Sequence, residues 1–147
     1  SAKRWPTNKW MNLAIELSEL YKIIIVGLDT SIGDEFKSLE SDKIINLIGI
    51  TNLVEVIEII ASSEGVVSND SGLMHVSASL ERKTIALYGS SSPIYTPPLI
   101  SKQKRDIIYK DLECSPCFKR VCPLGHKKCL NDIKVYEVKK SATKLFQ

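Results

Sequence analysis

The strongest constraint on the fold is the regular alternation of short apolar runs with segments of helical periodicity. The apolar runs predict strands at residues 22–26, 44–47, 66–68, 84–88 and 106–109. Apolar stripes at helical spacing predict helices at residues 8–20, 34–39, 53–61, 73–79 and 132–146. Thr7, Thr51 and Asp132 are expected to cap the first, third and last of them. Because strands that alternate with helices pair in parallel through crossovers, the sequence predicts an α/β fold with a Rossmann-like, doubly wound parallel sheet.

Size and charge narrow the class of protein further. The 147 residues suffice for one domain with a sizeable core, and no apolar run is long enough to cross a membrane. Without a recognisable export signal, a cytoplasmic location is expected. A net charge of +3 is too mild to indicate nucleic-acid binding. Basic residues are concentrated in the C-terminal third of the chain: Lys102, Lys104, Arg105, Lys110, Lys119, Arg120, Lys127 and Lys128. They could form an ordinary solvated surface, or a surface that contacts an anionic substrate or lipid.

A polar junction links the third predicted strand to the fourth predicted helix, at Asn69-Asp70-Ser71-Gly72. The first amides of a helix lack internal partners and carry partial positive charge, so phosphate is a natural occupant. Gly72 would let such a ligand approach the backbone, and Asp70 suits sugar hydroxyls better than phosphate. The alternative is that Ser71 or Asp70 only caps the helix and that the nearby His75 is structural.

Three polar residues follow predicted strands directly and should lie at one edge of the sheet. Asp29, Asp70 and Ser90 each come just after an apolar run. In doubly wound sheets, ligands bind beyond the carboxyl ends of the strands. We therefore expect a ligand site at this edge.

All four cysteines lie within 16 residues, as Cys114-x2-Cys117-x4-Cys122-x6-Cys129, in a predicted loop at 114–129. Without an export signal, clustered thiols indicate a metal before disulfides. Four thiolates suit a structural zinc ion, and an iron–sulfur cluster is the second option. The spacing does not match that of a zinc ribbon. Reduced thiols packed in a loop, or disulfides, remain as alternatives.

The spacing Asp-Ser-Gly-x-x-His-x-x-Ala at residues 70–78, followed by Ala-Leu-Tyr-Gly at 86–89, resembles a family signature. It is similar to the donor site of the bacterial lipopolysaccharide heptosyltransferases, which are inverting glycosyltransferases of family 9 that use ADP-heptose. Segments that match the heptosyltransferase II branch are residues 3–6, 68–75, 89–93 and 96–99, together with the cysteine block. The resemblance runs from Lys3 to about residue 130.

The resemblance implies an architecture and a donor site. The family has the two-domain GT-B architecture, and residues 1–147 resemble its C-terminal half, a single nucleotide-sugar-binding domain. The N-terminal acceptor domain is then expected to lie outside this chain, together with a strand ahead of Lys3. By the same resemblance, Lys3 is expected to meet the donor diphosphate, Asp29 the ribose hydroxyls of adenosine, and Asp70 the heptose.

Further roles carry over to the start of the predicted helix. Ser71 and Gly72 match residues whose amides meet the phosphates, and His75 matches the signature histidine, on the phosphate side or in support of it. A lysine and helix amides could stabilise the diphosphate leaving group without a metal, so no cofactor is expected for catalysis. The general base is expected on the N-terminal domain, so no catalytic residue is assigned here and the chain alone should be inactive.

The implied partners are ADP-heptose and, through the N-terminal domain, the lipopolysaccharide core, with no nucleic acid. Such an enzyme could attach peripherally to the inner face of the bacterial inner membrane. Two other functions stay open. One is a non-catalytic Rossmann-like binding module with a cysteine–metal knuckle, and the other is a transferase for a different nucleotide sugar.

Overall fold

The computed structural model describes residues 1–147 as an alternation of helices and strands. No helix has the length and apolarity that crossing a membrane requires. The strands are β1 (Ile23–Ile25), β2 (Ile44–Asn46), β3 (Gly65–Asn69), β4 (Lys83–Tyr88) and β5 (Arg105–Tyr109). The helices are α1 (Thr7–Ser18), α2 (Thr30–Lys37), α3 (Leu53–Ser62), α4 (Gly72–Ser79), α5 (Lys128–Asn131) and α6 (Val135–Leu145), with a short 3-10 turn at Lys102–Lys104.

All strand pairs are parallel, which confirms the predicted α/β class. β1 pairs with β2, and β3, β4 and β5 pair in that order. The strands form a two-stranded and a three-stranded sheet. β1 and β3 therefore each keep one edge without a strand partner in this chain.

The central strand β4 is buried on both faces, as a doubly wound sheet requires. Ile85 and Leu87 point into a core built with α1, α5 and α6. Ala86 and Tyr88 point the other way, where they pack with Met74 of α4. Because successive strand residues face opposite sides, this alternation places helices on both faces of the sheet. The carboxyl ends of β3 and β4 therefore lie next to the start of α4.

Several helix caps differ from the predicted ones. Thr7 is the first residue of α1 rather than its cap. The second helix, predicted from residue 34, begins at Thr30 and is capped by Asp29. Asn52, not Thr51, caps α3. The segment from 132 onwards becomes helical only at Val135, after the short α5. Caps depend on local backbone angles that apolar spacing does not define, so the errors fall at the helix starts.

Replacing Asn52 with alanine should lower the free energy of unfolding by about 1 kcal/mol. The Asn52 side chain accepts from the Glu55 N–H at 3.0 Å, and Glu55 Oε2 accepts from the Asn52 N–H at 2.8 Å. Alanine removes the first bond and leaves a helix amide without its acceptor. Urea unfolding measures the loss. Asn52→Ser keeps a side-chain acceptor and should cost clearly less, and equal costs would contradict the capping role.

Candidate functional site

The N-terminal segment is anchored by Trp5 and thereby brought to the carboxyl end of β3. The Trp5 indole is buried, and its Nε1 donates to the Ile133 carbonyl at 3.2 Å. The Trp5 backbone N–H donates to Asn69 Oδ1 at 3.0 Å. Pro6 is the N-cap of α1, so the residues just before Trp5 precede this helix and lie next to Asn69 at the end of β3. Lys3 and Arg4 are therefore placed beside the strand ends.

Asp70 is the most enclosed charged group of the site. Its Oδ2 accepts from Lys3 Nζ at 2.7 Å and from the Ser91 hydroxyl. Its side chain is 5% exposed, whereas that of Lys3 is 50% exposed. Asp70 Oδ1 accepts no hydrogen bond within the chain and keeps some contact with solvent. One oxygen therefore holds the site together while the other is free to accept from a ligand.

The start of α4 presents backbone donors that the chain leaves unused. The amides of Ser71, Gly72 and Leu73 have no acceptor in the chain, and the Ser71 side chain makes no capping bond. The Ser71 hydroxyl lies 3.2 Å from that of Ser68. A side chain added at Gly72 would meet no atom within 4 Å. The helix start is thus open to a ligand of negative charge.

A second ion pair lies next to the first. Arg4 pairs with Asp29 Oδ2, and Asp29 Oδ1 accepts from the Ser31 N–H at 3.1 Å as the cap of α2. The Ser31 hydroxyl, and after it Arg4, holds the pKa of Asp29 below its usual range. Lys3 pairs with Asp70 after β3, and the next residue, Arg4, pairs with Asp29 at the start of α2. These two consecutive residues therefore connect the end of β3 to the start of α2. Asp29 and Asp70, separate in sequence, are thereby linked.

His75 and Tyr88 lie near the start of α4 in different roles. The half-buried His75 imidazole makes no hydrogen bond within the chain. The Tyr88 hydroxyl donates to the Thr96 carbonyl. Burial, followed by the charge of Asp70, raises the pKa of Tyr88 to about 12. Tyr88 therefore stays protonated at neutral pH and fixes the loop after β4.

Sequence reasoning did not predict three of the contacts in this arrangement. Arg4 pairs with Asp29, Ser91 donates to Asp70, and Asn69 accepts from the Trp5 amide. Arg4 and Ser91 lie inside segments that the sequence singled out, next to Lys3 and Ser90. Ser90 itself, expected at the ligand edge, has a buried hydroxyl without any partner.

The four cysteines line one small cavity, here called the cysteine pocket, with Ala2, Ser90 and His126. Burial, and after it the other three cysteines, raises the pKa of Cys129. The Lys127 N–H, with smaller help from the amides of residues 124–126, lowers the pKa of Cys122. The cysteines are not disulfide-bonded, and no group of three or more His, Cys, Asp or Glu side chains has metal-binding geometry.

Another cavity lies away from these residues. It is an open groove between the C-terminal end of α4 and the segment 97–105, bordered by Glu81, Lys104 and Arg105. Glu81 and Lys104 pair there at 2.9 Å, and Arg105 donates to the Pro98 carbonyl. It contains none of the predicted donor residues.

Comparison with known proteins gives a consistent result over nearly the whole chain. The family described as "Glycosyltransferase family 9 (heptosyltransferase)" matches residues 1–128. Lipooligosaccharide heptosyltransferase 2 of Haemophilus influenzae is 42% identical over 108 residues, which is 69% of this chain and 31% of that protein. The corresponding Campylobacter jejuni protein is 31% identical over 153 residues, covering 100% of this chain and 48% of that protein.

A solved structure agrees in fold. Escherichia coli ADP-heptose lipopolysaccharide heptosyltransferase II superposes with a TM-score of 0.80 and 34% identity over 99% of this chain. This chain covers 42% of that structure. It therefore spans half or less of the length of the relatives that it matches.

Proposed function

Since the chain belongs to glycosyltransferase family 9, we propose that it is the donor-binding part of a heptosyltransferase. The full enzyme would move heptose from ADP-heptose to the lipopolysaccharide inner core. The observation that carries this proposal is the meeting of Lys3, Asp70 and the free amides of α4 at one strand end. A cation, a sugar-hydroxyl acceptor and an anion-binding helix start are the groups that a nucleotide diphosphate sugar requires.

The diphosphate would lie over the start of α4. As the bond to the sugar breaks, negative charge collects on the leaving diphosphate. The free amides of residues 71–73 would stabilise that charge without reorganisation. Lys3 is half exposed and has three N–H donors, so it can keep one bond to Asp70 and turn the others to a phosphate. No metal ion is needed for this part of the reaction.

The sugar and the ribose would be held by the two carboxylates. Asp70 Oδ1, free of partners within the chain, would accept from a heptose hydroxyl. Asp29 is partly exposed and would accept from a hydroxyl of the adenosine ribose, next to its ion pair with Arg4. The His75 ring, which has no hydrogen-bond partner in the chain, would lie on the phosphate side of the donor and help to hold the diphosphate.

The deprotonation of the acceptor hydroxyl would take place elsewhere. The base would come from the part of the enzyme that binds the lipopolysaccharide core, and the 147 residues alone would not transfer heptose. The location in the cytoplasm, at the inner face of the inner membrane, belongs to the same proposal. The alternative of a non-catalytic binding module leaves the free helix amides beside Asp70 and Lys3 without a purpose.

Replacing Gly72 with alanine tests this placement of the diphosphate. We expect the affinity of the full-length protein for ADP-heptose to fall about tenfold or more, because a methyl group would occupy the space of the phosphates. The free energy of unfolding should change by less than about 0.5 kcal/mol, since the added Cβ meets no atom within 4 Å. Titration calorimetry and urea unfolding measure the two effects.

Ser79→Ala, at the exposed far end of the same helix, is the matched control and should leave ADP-heptose affinity unchanged. Unchanged affinity in Gly72→Ala would contradict the proposed cradle. Titration with ADP-glucose and UDP-sugars identifies the donor. Tighter binding of one of these would favour a transferase for another nucleotide sugar.

A further inference from the structure

We propose that Cys114, Cys117, Cys122 and Cys129 bind one Zn²⁺ ion, and that this site braces the donor site from behind. The proposal goes beyond glycosyl transfer, because the metal would have no part in the chemistry. Its effect on donor binding rests on the proposed function, whereas the metal site itself does not.

The first observation is that the chain brings all four thiols to the cysteine pocket from a segment with little regular structure. Only Cys129 lies on a helix, α5. Gly125 adopts φ +72, and this left-handed turn directs the amides of residues 124–127 towards the Cys122 sulfur. The segment from Cys122 to Lys127 therefore folds back on Cys122, in the same cavity as the other three thiols.

The second observation is an unpaired polar atom in the same cavity. Ser90 is 1% exposed, lines the cysteine pocket, and its hydroxyl has no hydrogen-bond partner. A buried hydroxyl without a partner is costly, and a neutral thiol is a weak acceptor. A metal thiolate carries negative charge and would accept from this hydroxyl. The pocket thus contains a buried donor without a partner, which a metal thiolate in the same cavity would satisfy.

The charge around the pocket agrees with such an occupant. Four thiolates and one Zn²⁺ ion leave two negative charges to be balanced. Lys127 lines the pocket, and three more basic residues lie within the same segment of the chain: Lys119, Arg120 and Lys128. Sequence spacing alone did not choose between a metal, free thiols and disulfides, and these neighbours favour the metal.

The thiols line the cavity but do not converge on one point in the structure. Zinc binds sulfur at about 2.3 Å in a tetrahedron, so the side chains would rotate and the loop would tighten as the metal enters. Coupling of metal binding to local folding is common in small thiolate sites. The lack of regular structure between Cys114 and Cys122 allows that adjustment.

The bracing role follows from the hydrogen bonds that connect the cysteine loop to residues next to the donor site. The Ser115 hydroxyl donates to the Gly89 carbonyl at 2.6 Å, and the Phe118 N–H donates to the Ser90 carbonyl at 2.7 Å. The Ala2 N–H donates to the Arg120 carbonyl at 2.9 Å. The residues that follow Ala2 and Ser90 are the two partners of Asp70. A metal that fixes the loop would therefore fix Lys3 and Ser91.

The test begins with metal analysis of the full-length protein, purified under reducing conditions without chelator. We expect close to one zinc per chain. Removal of the zinc and addition of Co²⁺ should produce the intense thiolate-to-cobalt absorption and the visible bands of a tetrahedral site. A protein that holds no zinc and takes up neither ion overturns the proposal, as do disulfides or an iron–sulfur cluster in its place.

Variants keep the result specific to the four thiols. Cys117→Ser and Cys122→Ser should each lose the cobalt–thiolate absorption or shift it markedly. His126→Ala should keep it, because His126 Nδ1 already accepts from the Lys128 N–H at 3.0 Å. Loss of metal in His126→Ala would overturn the assigned ligand set. If a serine variant fails to fold, the cobalt spectrum of the unaltered protein still decides.

Donor binding separates this proposal from the proposed function. Removal of zinc should weaken ADP-heptose binding about tenfold, and zinc should restore it. Unchanged binding would overturn the bracing role alone. A zinc-loaded protein that binds no nucleotide sugar would overturn the proposed function and leave the metal site standing. A protein that binds ADP-heptose but never holds metal would overturn the metal site and leave the proposed function standing.

Discussion

Replacing Asp70 with asparagine should lower the rate of heptose transfer by the full-length protein about 100-fold or more, while the protein stays folded. Asparagine keeps the size of the side chain but removes the charge that accepts from Lys3 at 2.7 Å and from Ser91. Lys3 would then lose the partner that directs its ammonium towards the diphosphate. The free Oδ1, as the proposed acceptor of a heptose hydroxyl, would also become a weaker acceptor.

The free energy of unfolding should change little in Asp70→Asn. The Lys3 side chain is half exposed, so its ammonium can be hydrated when the carboxylate is lost. Steady-state kinetics with ADP-heptose and a lipopolysaccharide core acceptor measures the rate, and urea unfolding measures the stability. Both are needed, because a fall in rate has meaning only for a folded protein.

Asp34→Asn is the matched control. Asp34 lies on α2, is 79% exposed and pairs with Lys37 at 2.6 Å, away from Asp70 and its partners. The same change of charge there should leave the rate within a factor of about two, as expected for a surface pair of little energetic weight. An Asp70→Asn enzyme that keeps more than half of its rate would remove Asp70 from the proposed mechanism.

Class and family were predictable from sequence because both depend on local patterns. The apolar runs before Gly27, Asp70 and Gly89 end where β1, β3 and β4 end, to within two residues. The motif at residues 70–78 is continuous in the chain, and the family match at 1–128 confirms the expected extent of the resemblance. Local spacing contains this information without knowledge of how the elements pack.

The pairings that build the candidate site were not predictable in the same way. Arg4 meets Asp29 across 25 residues, and Ser91 meets Asp70 across 21. Such contacts depend on how the elements pack in three dimensions, and a single sequence does not show which distant residues come close together. The same reason explains the division of the strands into two sheets, since an apolar run predicts a strand but not its neighbour.

The N-terminal segment illustrates how packing positions a functional group. Lys3 has no regular secondary structure to orient it, and it is only two residues away from the buried Trp5. Trp5 contacts the core, the end of β3 through Asn69, and the turn before α6 through Ile133. The position of the proposed phosphate-binding lysine therefore depends on an aromatic anchor rather than on a helix or strand.

Replacing Trp5 with alanine should consequently lower the free energy of unfolding by about 3–5 kcal/mol. The indole is 2% exposed, belongs to the largest core cluster, and meets Trp10 edge-on at a centroid distance of 5.0 Å. Alanine would leave a cavity among Leu13, Leu130 and their neighbours that the surrounding helices cannot close completely. Urea unfolding followed by far-ultraviolet circular dichroism measures the loss.

Trp5→Phe distinguishes packing from hydrogen bonding at this anchor. Phenylalanine keeps most of the buried ring and loses the Nε1–H donor. The Ile133 carbonyl still accepts from Lys9 Nζ at 2.7 Å, so it is not left without a partner. We expect a loss of about 1–2 kcal/mol, well below that of alanine, and a smaller decrease in ADP-heptose affinity. If phenylalanine destabilised the protein as much as alanine does, the anchor would depend on the indole N–H, and the packing argument for the position of Lys3 would be wrong.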